Sequence, residues 1–515
     1  MEPVSRLREG PPPDRWLSWV VTAVIVAIAF GVRLVGLGQP AGIIFDETYY
    51  AKDAWSLLQQ GYEGVWSDDA NAALAQGDAS GLGSSPAFIV HPQVGKWLIA
   101  AGEALFGLNS FGWRFSALVF GSLMVGLTIR LARRISRSTM IGALAGLLVT
   151  VDGLNFVMSR IALLDTFQAF FILAAVSCLV VDRDWFRHRL ADRVEVGGGR
   201  DLGGRSGGFI FRPWLLAAGL SFGLACGTKW NSVYAVAVFG VLTVVWSVAA
   251  RRLAGARRRR WSALWLDGLP AFFSLVVVAA GVYLASWASW LATSGGYGRQ
   301  WGADHPDDRS VQLFGRALAS LWRYHVDIYN FHSGDYMANT THTYSSNPWG
   351  WFVLARPIGF DAQNGIPAGT DGCPEGGQEC LRVISCTGTP LLWWLAAAAA
   401  LIGLVWWLAG ADWRFGVSSL GVLATWLPWL TVGSRPLFFF YAITFEPFLM
   451  IGLAMFLGVL MGPARPDKRR QQGTIIAGAL VGLAILDFAF IYPILSDQVL
   501  LRSHWIWRMW FPSWI

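Results

Sequence analysis

Runs of about 20 apolar residues recur along almost the whole chain, and they constrain its fold more than any other feature. A helical run of this length crosses the hydrocarbon core of a bilayer. Hydrophobic residues make up 54% of the sequence and charged residues 14%, so a soluble fold could not cover its apolar surface. We therefore predict an all-α polytopic membrane protein with about eleven transmembrane helices. The spans are expected near residues 16–37, 112–131, 139–158, 161–181, 214–229, 231–250, 268–290, 389–409, 415–432, 441–461 and 473–495.

Short clusters of Lys and Arg separate these spans and predict the orientation of the chain. They lie at residues 130–137, 183–212, 251–260 and 465–470. Cytoplasmic loops are enriched in Lys and Arg, and all four clusters fall on one side if the N-terminus is cytoplasmic. Because the positive charge lies between spans, the net charge of +7 does not indicate nucleic acid as a partner.

This orientation predicts the organisation of a multi-pass plasma-membrane protein. The parts are a cytoplasmic tail at 1–15, an N-terminal transmembrane module at 16–290, an exterior loop at 291–388, C-terminal transmembrane helices at 389–495 and an exterior aromatic tail at 496–515. The first module contains a further exterior loop at 38–111. A connection as long as 291–388 is expected to be functional or to form a small subdomain.

Cysteines and metal-binding motifs add little to the functional prediction. Cys373, Cys380 and Cys386 lie in the long exterior loop, where an oxidising compartment would permit one disulfide and leave one thiol. The sequence does not decide which two pair. It contains no HExxH or CxxC spacing, so no cofactor is predicted, and dependence on a divalent metal stays open.

Two adjacent acids follow the first span, in the sequence GIIFDETYYAK at residues 42–52. Asp46 and Glu47 could form the chemical end of an enzyme. Alternatively, Asp46 could cap a short amphipathic helix that runs to about Gln60. Tyr49 stands where a capping-box Glu would be, so the capping signal is incomplete.

A second short helix is predicted in HPQVGKWLIAAGEALFG, at residues 91–107. It begins with His91 at a possible cap and Pro92 at the first helical position. Its apolar residues repeat at helical spacing, as expected for a helix that lies in the membrane interface. Lys96 on this helix could anchor to lipid headgroups or contact a substrate.

Ionisable residues collect at the exterior ends of the spans. The basic ones are Arg114, Arg160, Lys229 and Arg435, and the polar residues beside them in sequence are Asp152, Asn155, Asp165 and Asn231. Charged groups at membrane depth are costly unless they pair or line a wet cavity, so this set predicts a site. For each residue alone, snorkelling toward headgroups or a structural ion pair is the alternative.

Eight segments together resemble one protein family. They are FDETYYAKDAW, HPQVGKWLIA, GWRFSALVFGSL, DGLNFVMSRIALLDTFQAFF, GTKWNSVY, THTYSSNPWGWFVLARPI, SRPLFFFYA and RMWFPSWI. In this order they are similar to the actinobacterial branch of the protein O-mannosyltransferases. Eukaryotic members carry a lectin-like insert in the long exterior loop, and 291–388 is too short for it.

The resemblance implies a polytopic glycosyltransferase of the GT-C type. Its donor would be a polyprenyl-phosphate-linked mannose, and its acceptor Ser or Thr of a secreted protein, with the secretion translocon as a candidate partner. The family's acidic pair falls on Asp46 and Glu47, which would act at the exterior face. A carboxylate that takes the proton of the alcohol suits an inverting single displacement, since that route needs one base and no enzyme nucleophile.

The lipid phosphate is a good leaving group, so it needs cations rather than an acid. Arg114 and Arg435 lie in family-like motifs and are predicted first to bind it, because Arg can contact phosphate with two donors. Lys229 in GTKW is predicted next. The supporting or substrate-binding candidates are His91, Lys96, Asp152, Arg160, Asp165 and His342. The resemblance implies no role for Glu446.

Two other classes remain as alternatives. Another GT-C enzyme, which transfers a sugar to a lipid or glycan acceptor, would also place an acid in the first exterior loop. A polytopic transporter is more remote, because transporters hold charges near the midplane between similar halves. Here the charges crowd one side of the membrane and the halves are not alike.

Overall fold

The computed structural model describes residues 7–8, 14–196, 208–255, 263–410, 412–433, 435–463 and 467–515. Most of these residues are helical, as predicted. The helices are α1 (Arg15–Leu34), α2 (Glu47–Gln60), α3 (Ala70–Leu74), α4 (Val94–Phe106), α5 (Ser110–Ser136), α6 (Thr139–Thr150), α7 (Gly153–Met158), α8 (Leu164–Val196), α9 (Pro213–Cys226), α10 (Ser232–Leu253), α11 (Leu264–Ala285), α12 (Ala288–Ala292), α13 (Trp301–Asp304), α14 (Arg309–Ser333), α15 (Asp335–Asn339), α16 (Pro390–Gly410), α17 (Trp413–Trp426), α18 (Glu446–Met461), α19 (Lys468–Leu495) and α20 (Arg502–Ile506).

Each predicted span overlaps one of these helices. Seven are long and apolar enough to cross a membrane, namely α1, α5, α8, α10, α11, α16 and α19. Three shorter apolar helices, α6, α9 and α18, coincide with further predicted spans. The span predicted at 415–432 is α17 followed by a 3-10 turn at Leu427–Thr431.

Burial separates central from peripheral helices. In α8, 72% of the most apolar window is buried within the protein, against 22% in α1. Helix α8 packs against α5, α9 and α10 and forms the centre of the bundle. The exposed apolar faces of the outer helices are typical of surfaces that contact lipid.

A side-chain cap divides the span predicted at 139–158 into two helices, α6 and α7. Asp152 lies at the N-cap of α7, where its carboxylate accepts from the backbone N–H of Asn155 at 3.2 Å. It also accepts from the Thr389 N–H at 3.1 Å and the Trp393 indole N–H at 2.7 Å. Asp152 therefore ties the start of α7 to the start of α16.

The loop at 38–111, predicted to be exterior, contains the helices α2 and α4, which overlap the two short helices predicted there. It also contains a hairpin of β1 (Gly64–Trp66) and β2 (Leu82–Pro86), which the sequence did not predict.

The loop at 291–388, also predicted to be exterior, contributes two strands to an antiparallel sheet that was likewise not predicted. Its strands are β3 (Ile358–Ile366), β4 (Cys380–Cys386) and β5 (Leu500–Leu501), in the order β3-β4-β5. Cys373 and Cys380 form a disulfide, and Cys386 is a buried free thiol. Strand β5 brings the C-terminal segment onto this loop.

The basic clusters contain several ion pairs with acids of neighbouring elements. Arg133 contacts Asp14 at 2.8 Å, and Arg251 contacts Asp267 at 2.6 Å with both side chains fully buried. Parts of the clusters at 183–212, 251–260 and 465–470 lie outside the described residues.

Candidate active site

Glu47 is the fully buried member of the acidic pair, and Asp46 is half-buried. Its carboxylate accepts hydrogen bonds from Nε and Nη2 of Arg114 at 2.7 and 2.8 Å, and both the Glu47 and Arg114 side chains are fully buried. The backbone N–H groups of Ala162 and Ile44 donate to the same carboxylate at 3.1 and 3.2 Å. With four donors around it, Glu47 anchors the loop at 38–111 to the bundle.

Arg114 has no N–H group left for a ligand. Besides the two contacts with Glu47, its remaining donors reach the carbonyl oxygens of Leu37, Pro40 and Gly42 at 3.3, 2.9 and 3.1 Å. A guanidinium has five N–H donors, and here all five are used. This geometry does not support the predicted contact between Arg114 and a phosphate.

Asp46 has a different environment from its neighbour. It lies at the N-cap position of α2, but its carboxylate makes no capping hydrogen bond, so the alternative capping role is not observed. Burial raises the pKa of the Asp46 carboxyl to about 6, while Lys229 lowers this pKa and Asp165 raises it. Asp46 thus has no side-chain hydrogen bond or ion pair with a described residue, and its pKa responds to the charges of two predicted site residues.

Phe45 holds the backbone just before Asp46 in an uncommon conformation. Its φ of 46° lies in the left-handed region, which side chains other than glycine rarely adopt. Its ring is surrounded by Phe360, Phe438 and Phe440, with centroids 4.9, 6.1 and 5.8 Å away. This aromatic packing holds the strained residue in place.

A cavity of about 440 Å³ borders this aromatic cluster, because Tyr441 in its lining packs on Phe440 with ring centroids 4.7 Å apart. Asp46 itself is not among the lining residues. Its lining combines polar groups from distant parts of the chain with an apolar side. The polar residues include His91, Lys229, Asn231, His332 and Arg435. The apolar and aromatic residues include Val233, Tyr234, Pro428, Trp429, Val432 and Tyr441.

The two cations of the cavity are held by different partners. Lys229 donates to Asp165 at 2.7 Å, and its ammonium lies 5.5 Å from the centre of the Tyr441 ring. Arg435 contacts Nδ1 of His332 at 3.1 Å, and its Nε has no hydrogen-bond partner in the described part of the chain. Both side chains therefore keep N–H donors for an anion.

The two histidines of the cavity are expected to be neutral at neutral pH. Burial lowers the pKa of His91 well below its ordinary value, and Lys229 and His332 lower this pKa further. Burial also lowers the pKa of His332, and Arg435 adds to that shift. Neutral imidazoles leave Lys229 and Arg435 as the positive charges of the cavity lining.

Three other predicted residues have protein partners elsewhere. Lys96 is buried and pairs with Asp53 at 2.9 Å and Glu63 at 3.2 Å, so it is not a headgroup anchor. Arg160 donates to backbone carbonyls at the end of α1, including that of Gly36 at 2.9 Å. His342 is exposed, and its ring centroid lies 6.3 Å from that of Phe45.

Glu446 belongs to a buried network within the bundle. Arg33 donates to Oδ1 of Asn155 at 2.9 Å, and Nδ2 of Asn155 donates to Glu446 at 3.2 Å. The same Asn155 is held by Asp152 through its backbone N–H. The network links α1, α7 and α18 through Oε2 of Glu446, and Oε1 of Glu446 has no hydrogen-bond partner in the described part of the chain.

Sequence reasoning missed His332, Tyr441 and Trp429 as residues of the cavity. His332 ends α14, and the other two belong to 3-10 turns at Leu427–Thr431 and Phe439–Thr444. Tyr441 lies within SRPLFFFYA, one of the segments that resemble the family, so the sequence could have pointed to it as a site residue. Trp429 and His332 stand in unremarkable sequence.

The arrangement suits transfer of a group from an anionic leaving group. The residues combine a carboxyl group with a pKa of about 6 and a cavity that contains two cations with free N–H donors. Among the described residues, no three His, Cys, Asp or Glu side chains cluster so that they could hold a metal ion.

A solved structure with the same fold is that of the protein O-mannosyltransferase Pmt1-Pmt2 complex of S. cerevisiae bound to the sugar donor. It superposes with a TM-score of 0.71 over 97% of this chain and 92% of that chain, at 12% identity. This chain therefore has the GT-C fold of that complex.

Sequence comparisons specify the family within this fold. A family model for dolichyl-phosphate-mannose-protein mannosyltransferase matches residues 23–288, and one for the C-terminal four TMM region of protein-O-mannosyltransferase matches residues 317–514. Polyprenol-phosphate-mannose–protein mannosyltransferases of Mycobacterium tuberculosis and Mycolicibacterium smegmatis are 37% and 39% identical to this chain. The alignments cover 99% and 98% of this chain and 95% of each relative. The chain belongs to the dolichyl-phosphate-mannose-protein mannosyltransferase family.

Proposed function

We propose that this protein transfers mannose from a polyprenyl-phosphate-mannose donor to Ser or Thr hydroxyls of secreted polypeptides. The relatives that cover the whole chain are named for this donor and for a protein acceptor. The observation that carries the proposal is the unpaired Asp46 carboxylate, whose pKa responds to the Lys229 ammonium of the cavity.

Asp46 is the proposed general base. The acceptor hydroxyl oxygen bonds to the anomeric carbon of mannose as the bond from that carbon to the phosphate oxygen breaks. The hydroxyl proton passes to the Asp46 carboxylate, and polyprenyl phosphate leaves with the bonding electrons. A pKa of about 6 places the base close to neutral pH, where such a carboxyl is ionised and still basic enough to help.

Arg435 and Lys229 are the proposed phosphate ligands. Arg435 keeps its Nε free, and the Lys229 ammonium uses one hydrogen bond for Asp165, which positions it. His91 and His332 line the same cavity as neutral donors or acceptors. In this proposal Glu47 and Arg114 support the loop that carries Asp46, and they do not touch the substrates.

The proposed orientation places this cavity on the exterior face and the N-terminus in the cytoplasm. It rests on the Lys and Arg clusters of the sequence. An acceptor polypeptide that emerges from the secretion translocon would then reach the enzyme while the polypeptide is still unfolded and its Ser and Thr hydroxyl groups are accessible.

The test uses the purified protein with labelled polyprenyl-phosphate mannose and a Ser/Thr-containing peptide. We expect label on the peptide and inversion at the anomeric carbon. Transfer to a lipid acceptor alone would favour the related GT-C activity. Absence of transfer from this donor to any acceptor, by protein that is folded, would contradict the proposal.

A further inference from the structure

A buried arginine holds the backbone that joins α1 to α2. This backbone, residues 35–46, is called the connector, and the proposed base is its last residue. The guanidinium of Arg160 donates to the carbonyl of Arg33 in the last turn of α1 at 2.9 Å. It also donates to the carbonyls of Val35 and Gly36 in the connector, the second at 2.9 Å. Arg160 therefore binds the chain at the point where it leaves α1.

The turn that carries Arg160 also holds the other end of the connector. This turn, residues 159–163, lies between α7 and α8. The backbone N–H of Ala162 donates to the carboxylate of Glu47 at 3.1 Å, one residue beyond Asp46. Because Arg160 and Ala162 are only two residues apart, a single turn fixes both ends of the connector against the bundle.

The same turn leads directly to a group that acts on the base. Helix α8 begins right after the turn, and its second residue is Asp165, which holds Lys229 at 2.7 Å. Among the described residues, Lys229 and Asp165 carry the charges that shift the pKa of Asp46, and Arg160 does not contribute. The influence of Arg160 on Asp46 therefore passes through the backbone, by placing the connector relative to α8.

A separate contact holds helix α1 itself. The Arg33 guanidinium donates to Oδ1 of Asn155 at 2.9 Å and to the carbonyl of Val149 at 3.1 Å. These contacts tie the end of α1 to α6 and α7 and do not involve Arg160. Loss of the Arg160 contacts would therefore release the start of the connector and leave these contacts of α1 in place.

We propose that Arg160 is a positioning residue for the transfer reaction. It fixes the start of the connector and thereby the place of the Asp46 carboxylate relative to Lys229. This inference rests on the proposed role of Asp46 as the base. Arg160 does not line the cavity that contains Lys229 and Arg435, so in this proposal it contacts neither substrate.

The first test is Arg160→Lys, which keeps the charge but replaces the planar guanidinium by one ammonium group. An ammonium cannot reproduce the spacing of the two Nη groups that reach the connector carbonyls. Displacing a catalytic group by about 1 Å can cost a reaction about a hundredfold, so we expect kcat to fall roughly ten- to a hundredfold. The KM for the donor should stay unchanged, because Lys229 and Arg435 are not part of the connector.

A double variant separates positioning from a general loss of structure. If Arg160 acts through the Asp46 carboxylate, Arg160→Lys should lower kcat no further in protein that already carries Asp46→Asn. The residual transfer by Asp46→Asn and by the double variant would be measured with labelled donor. The same fold loss from Arg160→Lys in both backgrounds would overturn the proposal.

Arg508→Lys is the matched control. The Arg508 guanidinium also donates to backbone carbonyls, those of Phe490 at 2.7 Å and His504 at 2.6 Å. These contacts join the C-terminal segment to α19 and do not reach the connector. We expect wild-type kcat for Arg508→Lys, and an equal loss of kcat in Arg508→Lys and Arg160→Lys would overturn the proposal.

Gly36→Ala perturbs the same contact from the side of the connector. The φ of Gly36 is 67°, a left-handed conformation that strains a residue with a Cβ atom. The added Cβ would meet Nη2 of Arg160 at 3.7 Å, an ordinary van der Waals distance, so the strain falls on the connector. We expect a lower kcat here too. If Arg160→Lys does not fold, wild-type kcat in folded Gly36→Ala would overturn the proposal.

Hydrogen–deuterium exchange tests the connector without any transfer assay. Arg160→Lys should speed exchange of amides in residues 35–46 roughly three- to tenfold, as for loss of one hydrogen bond, and Arg508→Lys should not. Faster exchange supports the positioning contact even if no peptide accepts mannose and the proposed function fails. Unchanged exchange in Arg160→Lys would overturn this proposal even where the wild-type protein transfers mannose.

Discussion

Replacing the two adjacent acids one at a time should separate catalysis from folding. Asp46→Asn removes the proposed base without removing a capping hydrogen bond, because the Asp46 side chain makes none. General-base catalysis contributes roughly 10²- to 10⁴-fold to a rate, so kcat should fall by about that factor. Thermal stability and donor binding should stay close to those of the wild-type protein.

Glu47→Gln should have the opposite profile. Glu47 accepts two hydrogen bonds from Arg114 and two from backbone N–H groups. In Gln, an NH2 group replaces one carboxylate oxygen, so at least one of these N–H groups would face another donor and lose its hydrogen bond. The change also leaves the fully buried Arg114 charge uncompensated. Breaking a buried ion pair in this way costs about 3–5 kcal/mol, a large share of the stability of a typical protein.

Both variants would be purified in the same detergent and compared by thermal unfolding and by kcat with labelled donor and peptide. Full turnover by Asp46→Asn would show that Asp46 is not the base. Glu47→Gln with wild-type stability and no turnover would make Glu47 the catalytic base and refute its anchoring role.

Three further predictions follow from the site and the topology. The value of kcat/KM should rise with pH through about 6, because only ionised Asp46 accepts a proton. The corresponding rise in kcat should lie at higher pH, because the bound phosphate adds negative charge and raises that pKa; a rate independent of pH from 5 to 8 would contradict this. Arg435→Lys should weaken donor use roughly ten- to a hundredfold by losing a charge-assisted contact, whereas Arg114→Lys should lower the melting temperature and leave donor KM unchanged in folded protein. Engineered cysteines should be labelled from outside intact cells at position 300 but not at position 256, and labelling at 256 would overturn the orientation.

The helical bundle could be predicted from sequence because the length of an apolar run is a local property. The bilayer fixes that length, so all predicted spans coincide with helices. The sheet formed by β3 and β4 was missed for the opposite reason. Its outer strand contains Gly359, Asn364 and Gly365, which are poor strand formers, and its pairing depends on contacts beyond the local pattern.

The site was predictable in its residue types but not in its pairings. Sequence position alone made Arg114 and Arg435 equivalent, since both are arginines near span ends that are predicted to be exterior. The structure separates them because Glu47, 67 residues away from Arg114, uses two of its donors. His332 reaches Arg435 across 103 residues. Contacts over such separations leave no periodic signal in one sequence.

The left-handed backbone of Phe45 determines whether the conformational entropy of Asp46 is lost during folding or in each catalytic cycle. A flexible loop would have to order Asp46 anew in each catalytic cycle, and every turnover would include that loss. Here the aromatic rings around Phe45 fix the preceding residue when the chain folds. The ordering of Asp46 is therefore completed once, during biogenesis, and each arriving donor meets a carboxylate whose direction is already set.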